Sequence, residues 1–262
     1  MTEWNADGYQ QISGLQAALA DEQLTRIKLG AQDRILDVGC GNGKITAEMA
    51  TRIPQGSVLG VDASQNMITF AQEHYGFPIQ PNLRFEVADV RHLPYTHEFD
   101  QITSFNMLHW VPEQEAALRS IHAALKPDGK AFLRFVPEGD RQCIEDVIEA
   151  TCQLPQWRDA FQTHQKPYVH FTPDAYCALA EQAGFRVLQV HVDDQSWDFK
   201  SREAFAAYCR VTLAEWTRFL PESKWTAFIT DVLNAYQSVA ADTPAELNMF
   251  KFYQMEIVLT PA

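Results

Sequence analysis

The stretch Ile35-Leu-Asp-Val-Gly-Cys-Gly-Asn-Gly-Lys-Ile-Thr46 runs an apolar strand into an acid and then into three alternating glycines. Gly39, Gly41 and Gly43 carry no Cβ, so the backbone there can turn sharply and meet a ligand at contact distance. Asp37 adds a negative charge that repels a pyrophosphate and attracts a cation. Strand, acid and glycine turn together predict a nucleotide cradle at the edge of an α/β sheet.

Two other glycine loops fail letter by letter. The dinucleotide fingerprint spaces its glycines G-x-G-x-x-G, whereas this loop reads G-x-G-x-G. A P-loop needs glycine where Val38 stands and Ser or Thr after Lys44, where Ile45 stands. The ammonium and sulfonium of S-adenosylmethionine carry the charge that Asp37 favours. Two further strands end in acids: Ser57-Val-Leu-Gly-Val-Asp62 and Leu83-Arg-Phe-Glu-Val-Ala-Asp89. Each acid alone reads equally well as a helix N-cap. At successive strand ends they suit a ribose (Asp62) and an adenine amine (Asp89).

These motifs resemble those of the class I S-adenosylmethionine-dependent methyltransferases. Phe99-Asp-Gln-Ile-Thr-Ser-Phe-Asn-Met-Leu-His-Trp-Val111 resembles that family's fourth strand and following loop, and Leu125-Lys-Pro-Asp-Gly-Lys-Ala-Phe-Leu133 the turn into its fifth. The resemblance implies a Rossmann-like α/β fold with a seven-stranded, mostly parallel sheet, order 3-2-1-4-5-7-6, the last strand antiparallel. It implies S-adenosyl-L-methionine as cofactor and S-adenosyl-L-homocysteine as product. The cofactor residues it carries over are Asp37, Gly39, Cys40, Gly41, Gly43, Asp62, Ala63, Met67, Ala88, Asp89, Val90 and Asn106. Cys40 itself reads as packing within the cradle.

Periodicity extends the plan. A helix carrying Leu118, Ile121, His122 and Leu125 precedes the Asp128-Gly129 turn and a strand from Lys130 to Val136. Ile144, Val147, Ile148 and Cys152 repeat at helical spacing, and Thr172-Pro-Asp opens another helix ending near Gly184. Strands over Arg186–Val192 and Lys251–Thr260 close the sheet. Between them Trp225, Phe228, Ile229, Val232, Leu233 and Tyr236 follow i, i+3, i+4, i+7 spacing. The chain is expected to be one methyltransferase domain over 1–262, with an N-terminal cap helix over about 5–28 and a helical cap insertion over about 200–248.

Net charge is −13, from 21 basic and 34 acidic residues, without a basic run. Nucleic acid needs a positive footprint, so a small-molecule acceptor is expected instead. No secretory signal or bilayer-length apolar run occurs, and five widely spaced cysteines fit reduced thiols; a cytoplasmic location follows as the expectation. The eight histidines include no His-x-x-x-His pair and the acids are taken by the cofactor, so no metal is expected. His164 and His170 read as surface or cap histidines.

Two segments bear on the acceptor. Tyr9, Ile12 and Gln16 share a helical face near the N-terminus, and Asn106-Met-Leu-His-Trp110 follows the fourth strand, beside the reacting methyl in this architecture. Together they resemble juvenile hormone acid methyltransferases, with Tyr and Gln at that spacing and Leu-His-Trp-Val after strand four. They also resemble trans-aconitate methyltransferases and the malonyl-carrier-protein methyltransferase of biotin synthesis, which carry Leu-Gln-Trp there. All methylate carboxylates, so a methyl ester of an acid with an apolar portion is implied, with Gln16 and Trp110 orienting the carboxylate through neutral donors. A hydroxyl or amine acceptor with His109 as general base is the alternative. A protein that binds the cofactor without transferring its methyl is the third.

Overall fold

The structure, a computed structural model, describes residues 24–262. Its seven strands are β1 (Arg34–Val38), β2 (Ser57–Asp62), β3 (Leu83–Val87), β4 (Phe99–Phe105), β5 (Leu125–Phe135), β6 (Phe185–Asp198) and β7 (Met249–Pro261). They form one sheet in the order β3-β2-β1-β4-β5-β7-β6. Strands β1 to β5 pair in parallel, and β7 lies antiparallel to both β5 and β6. The expected order and direction of the sheet are those observed.

Helices cover both faces, which is why the central strands β1 and β4 are buried almost throughout. Ile35 faces one layer, with Met49, Ile53 and Ile68 of α1 (Lys44–Arg52), its C-cap and α2 (Gln65–Tyr75). Its neighbour Leu36 faces the other, with Leu118 and Ile121 of α3 (Gln114–Ala124) and Tyr176 of α5 (Pro173–Gln182). Alternation along β1 thus divides one strand between two cores.

A third core is the cap. It joins α4 (Ile144–Cys152) and Trp157, Phe161 and Tyr168 to α6 (Arg202–Thr212), α7 (Ala214–Thr217), α8 (Glu222–Ala240) and Phe250 and Phe252 of β7. The sequence predicts a cap from an N-terminal helix and the later insertion, and its periodicity alone makes 144–152 one more helix of the α/β alternation. Periodicity reports that a face is apolar, not which layer it meets.

Three boundaries differ from expectation. Helix α3 stops at Ala124, and Leu125 already pairs with Phe99. The Asp128-Gly129 turn lies inside β5, where pairing jumps from Phe99↔Leu125 to Gln101↔Lys130. Strand β6 runs on to Asp198, because Asp193 to Ser196 keep the backbone ladder to β7 with side chains that carry no apolar signal. Of the expected N-terminal helix, Tyr9, Ile12 and Gln16 lie outside the described residues; Leu24 is buried at the helical start of what is described.

Phe228 ties the two halves of the cap together, its ring lying 5.3 Å from Trp157 and 5.4 Å from Phe161. Phe228→Ala should cost about 3–5 kcal/mol in denaturant unfolding, and Phe228→Leu far less; equal, small losses would mean the halves are not one core.

Candidate active site

The glycine loop closes against β2: Gly39 N and Cys40 N both donate to Val61 O, at 2.7 and 3.0 Å, and Gly43 N returns to Cys40 O at 3.0 Å. Gly39 and Gly41 have φ of 74° and 53°, a region that side chains with a Cβ rarely enter. A Cβ on Gly39 would collide with Met107 in the loop after β4, whereas one on Gly41 would meet nothing within 4 Å among the described residues. The α-carbon of Gly41 therefore faces the open side of the cradle, the position a cofactor pressed against backbone needs.

Beneath the loop sits Asp37, only 2% exposed. Thr46 of α1 donates to its Oδ2 at 2.6 Å, and Thr103 of β4 to its Oδ1 at 2.8 Å. Burial pushes its carboxyl up to about 6, against the lowering effect of both hydroxyls. Asp62 spans the next gap: its Oδ2 accepts from Gly41 N at 3.0 Å and its Oδ1 from Ser64 N at 2.9 Å. Ala88 N donates to the Asp62 carbonyl at 3.0 Å, joining the ends of β2 and β3. Ala63 and Ala88 are half-buried there, and Met67 and Val90 are buried. Asp89 is gripped by Arg91, whose Nε and Nη2 approach its oxygens at 3.0 and 2.6 Å. The side-chain hydrogen bonds from Arg91 hold that carboxyl below its ordinary range. Asp89 also caps the short turn Val90–His92, so the N-cap reading holds for it.

Across the sheet edge, Asn106 adopts a left-handed φ of 56° directly after β4, a conformation that asparagine tolerates. Its Oδ1 accepts from Gln254 of β7 at 2.7 Å. The turn Leu108–Trp110 follows, and Gln114 braces it by donating to the carbonyls of Leu108 and Val111. Trp110 packs edge-on against Tyr168 and Trp216, with centroids 6.3 and 5.9 Å away. His109 points into protein: it is 4% exposed, and its Nδ1 has no partner among the described residues. Desolvation, with a smaller push from His170, lowers its pKa to about 3.

The structure thus gathers Asp37, the glycines, Asp62 and Asp89 along one sheet edge, with Asn106, His109 and Trp110 beside them. Cys40 packs as expected, its Cβ beside Gly60. Gln16 lies outside the described residues. His164 and His170 are not surface groups: the His164 side chain is buried against Glu149 at 2.8 Å, and His170 stands 3.6 Å from the Cys143 sulfur. The sequence reading passed over Thr46, Thr103, Gln114 and Gln254. Only Thr46 had a local signal, standing in the first turn after the glycines; the others are brought in by sheet pairing and by the turn itself.

Residues 35–129 match the family model described as a methyltransferase domain. The chain is 30% identical over 191 residues to the trans-aconitate 2-methyltransferase of Deinococcus radiodurans, 69% of either protein. It is 28% identical over 201 residues to the juvenile hormone acid O-methyltransferase of Bombyx mori, covering 71% of this chain and 70% of that one. Its fold matches a Haemonchus contortus phosphoethanolamine N-methyltransferase 2 solved in complex with S-adenosyl-L-methionine, with a TM-score of 0.66 at 18% identity over 98% of this chain and 57% of that one. The chain belongs to the class I S-adenosylmethionine-dependent methyltransferases.

Because the folded protein holds the Asp37 proton up to about pH 6, and the unfolded chain releases it near 3.8, raising the pH across that window costs stability. The stability of wild type relative to Asp37→Asn should fall by about 2 kcal/mol between pH 4 and pH 7. Denaturant titrations of both proteins across that range check it; parallel curves would place Asp37 in a polar, solvated site.

Proposed function

We propose that the protein esterifies a small carboxylic acid with an apolar portion, taking the methyl group of S-adenosylmethionine by direct in-line transfer. The observation that carries this reading is His109: the imidazole nearest the acceptor side is buried, and its pKa of about 3 makes it a feeble base at neutral pH. A carboxylate acceptor needs no base. The trans-aconitate and juvenile hormone acid methyltransferases among the relatives support the same acceptor chemistry.

When bound, the cofactor supplies a sulfonium carbon that gains a bond to the acceptor oxygen as its bond to sulfur breaks, the electron pair staying on sulfur. The remaining work falls to this chain. Asp37 offers a buried negative charge toward the cationic end of the cofactor, Asp62 its carboxylate to the ribose, and Asp89 to the adenine amine. Gly39, Gly41 and Gly43 let the backbone approach, while Cys40, Ala63, Met67, Ala88, Val90 and Asn106 shape the cradle. Trp110 and Gln16 orient the acceptor carboxylate. The aromatic wall of Trp110, Tyr168 and Trp216 limits water, and transfer between opposite charges, which destroys both, proceeds better in a dry site. Positioning in line contributes roughly 7–11 kcal/mol when geometry is good.

The test is incubation with methyl-labelled cofactor and a mixture of apolar acids, alcohols and amines, followed by mild alkali. Label should leave as methanol, because esters hydrolyse where ethers and N-methyl groups survive. His109→Gln should keep turnover within about tenfold, general-base removal being worth 10²–10⁴. Alkali-stable label together with loss of turnover in that variant would establish a hydroxyl or amine acceptor with His109 as its base. A Cβ at Gly41 should weaken cofactor binding: Gly41→Ala is expected to raise Kd by at least about tenfold in calorimetric titration, from intrusion and from about 1–2 kcal/mol of left-handed strain.

A further inference from the structure

Outside the cradle, the cap brings together donors that are far apart in sequence. Cys143 caps the N-terminus of α4, Glu145 lies in its first turn, and His170 comes from the strap whose Val169 N donates to His109 O at 2.8 Å. The sulfur of Cys143, a Glu145 oxygen and a His170 nitrogen all lie within 4.8 Å of one another. We propose that Cys143, Glu145 and His170 bind a divalent transition-metal cation of the zinc type, leaving a fourth position for water or an acceptor oxygen.

The separation of sulfur and imidazole suits such an ion. Ligands at about 2.3 Å (sulfur) and 2.0–2.1 Å (nitrogen) on a tetrahedral zinc stand roughly 3.6 Å apart, and Cys143 Sγ lies 3.6 Å from His170 Nδ1. A thiol–imidazole hydrogen bond has a similar length, so the separation needs company. The donor set supplies it: thiol, carboxylate and imidazole together suit zinc better than calcium or magnesium, which take oxygen. Thiolate and carboxylate carry two negative charges and the cation two positive ones, so the loaded site is neutral in a place where an unbalanced charge would be costly.

The surroundings fit as well. The Asp146 N–H points at Sγ from 3.4 Å, a contact that favours thiolate, and the sulfur sits at a helix N-terminus. The Cys143 thiol donates to Asp146 Oδ2 at 3.1 Å, a hydrogen bond that a bound cation would replace, and the same carboxylate accepts from Tyr168 Oη at 2.7 Å and Lys166 Nζ at 3.3 Å. His170 Nε2 and His109 Nδ1 are both buried without a partner among the described residues, on rings 6.0 Å apart.

The proposal does not depend on which acceptor is methylated, and its test reads no methyl transfer. The full chain, free of any affinity tag and stripped with chelator, is titrated with Co²⁺ and then with competing Zn²⁺. One equivalent of Co²⁺ should bind with a thiolate-to-cobalt charge-transfer band, and Zn²⁺ should abolish the band. Cys143→Ser should lose the band, while His170→Gln and Glu145→Gln should weaken binding by more than about tenfold, since even outer partners of a metal cost 10–100-fold. Cys177→Ser, on α5, should change nothing. Circular dichroism in chelator establishes that each variant folds; should one fail, the other two decide. Absence of the band in wild type, or its survival in Cys143→Ser, would overturn the site.

Discussion

A carboxylate buried in the middle of a parallel sheet governs this structure. Asp37 is the last residue but one of β1, which pairs with β2 on one side and β4 on the other, and its two oxygens are held by hydroxyls from α1 and β4. Those hydrogen bonds fasten the first strand to the helix that the glycine loop opens and to the strand that leads into the acceptor side. They only partly offset the cost of burial, and the carboxyl remains well above its ordinary pKa. A site that keeps such a group keeps a place for positive charge.

From that point the molecule divides its tasks by element. The loop after β2 closes the cradle through Asp62 and Gly41, so the second strand fixes the shape of the first turn. The loop after β4 serves both sides: Met107 packs under Gly39, while Trp110 belongs to the aromatic wall of the cap. The cap and the cofactor edge are thus joined through a few residues of one turn, braced by Gln114. A change in that turn is felt by both.

The sheet was legible because its strands carry two signals at once, apolar runs and acids at their carboxyl ends, and because β1 is buried on both faces. The cradle was legible because glycine spacing is a backbone requirement and leaves its mark in order along the chain. The cap was half legible. The insertion between β6 and β7 shows helical periodicity, but the contribution of 144–168 depends on which layer an apolar helix meets. The polar end of β6 left no pattern at all, being held by backbone pairing. Side chains that converge from distant segments, such as Thr103 on Asp37 or His170 beside Cys143, follow no local spacing and emerge only from the fold.

The central claim, that the buried Asp37 charge awaits a cationic cofactor, has a direct thermodynamic signature. Near pH 6 the carboxyl is about half protonated, and a cation beside it must drive that proton off. Calorimetric titration of S-adenosylmethionine at pH 6, in two buffers of different ionisation enthalpy, measures the protons exchanged on binding. Release of about half a proton by wild type and none by Asp37→Asn is the predicted result. Binding without proton release in wild type, or equal release by both proteins, would contradict it.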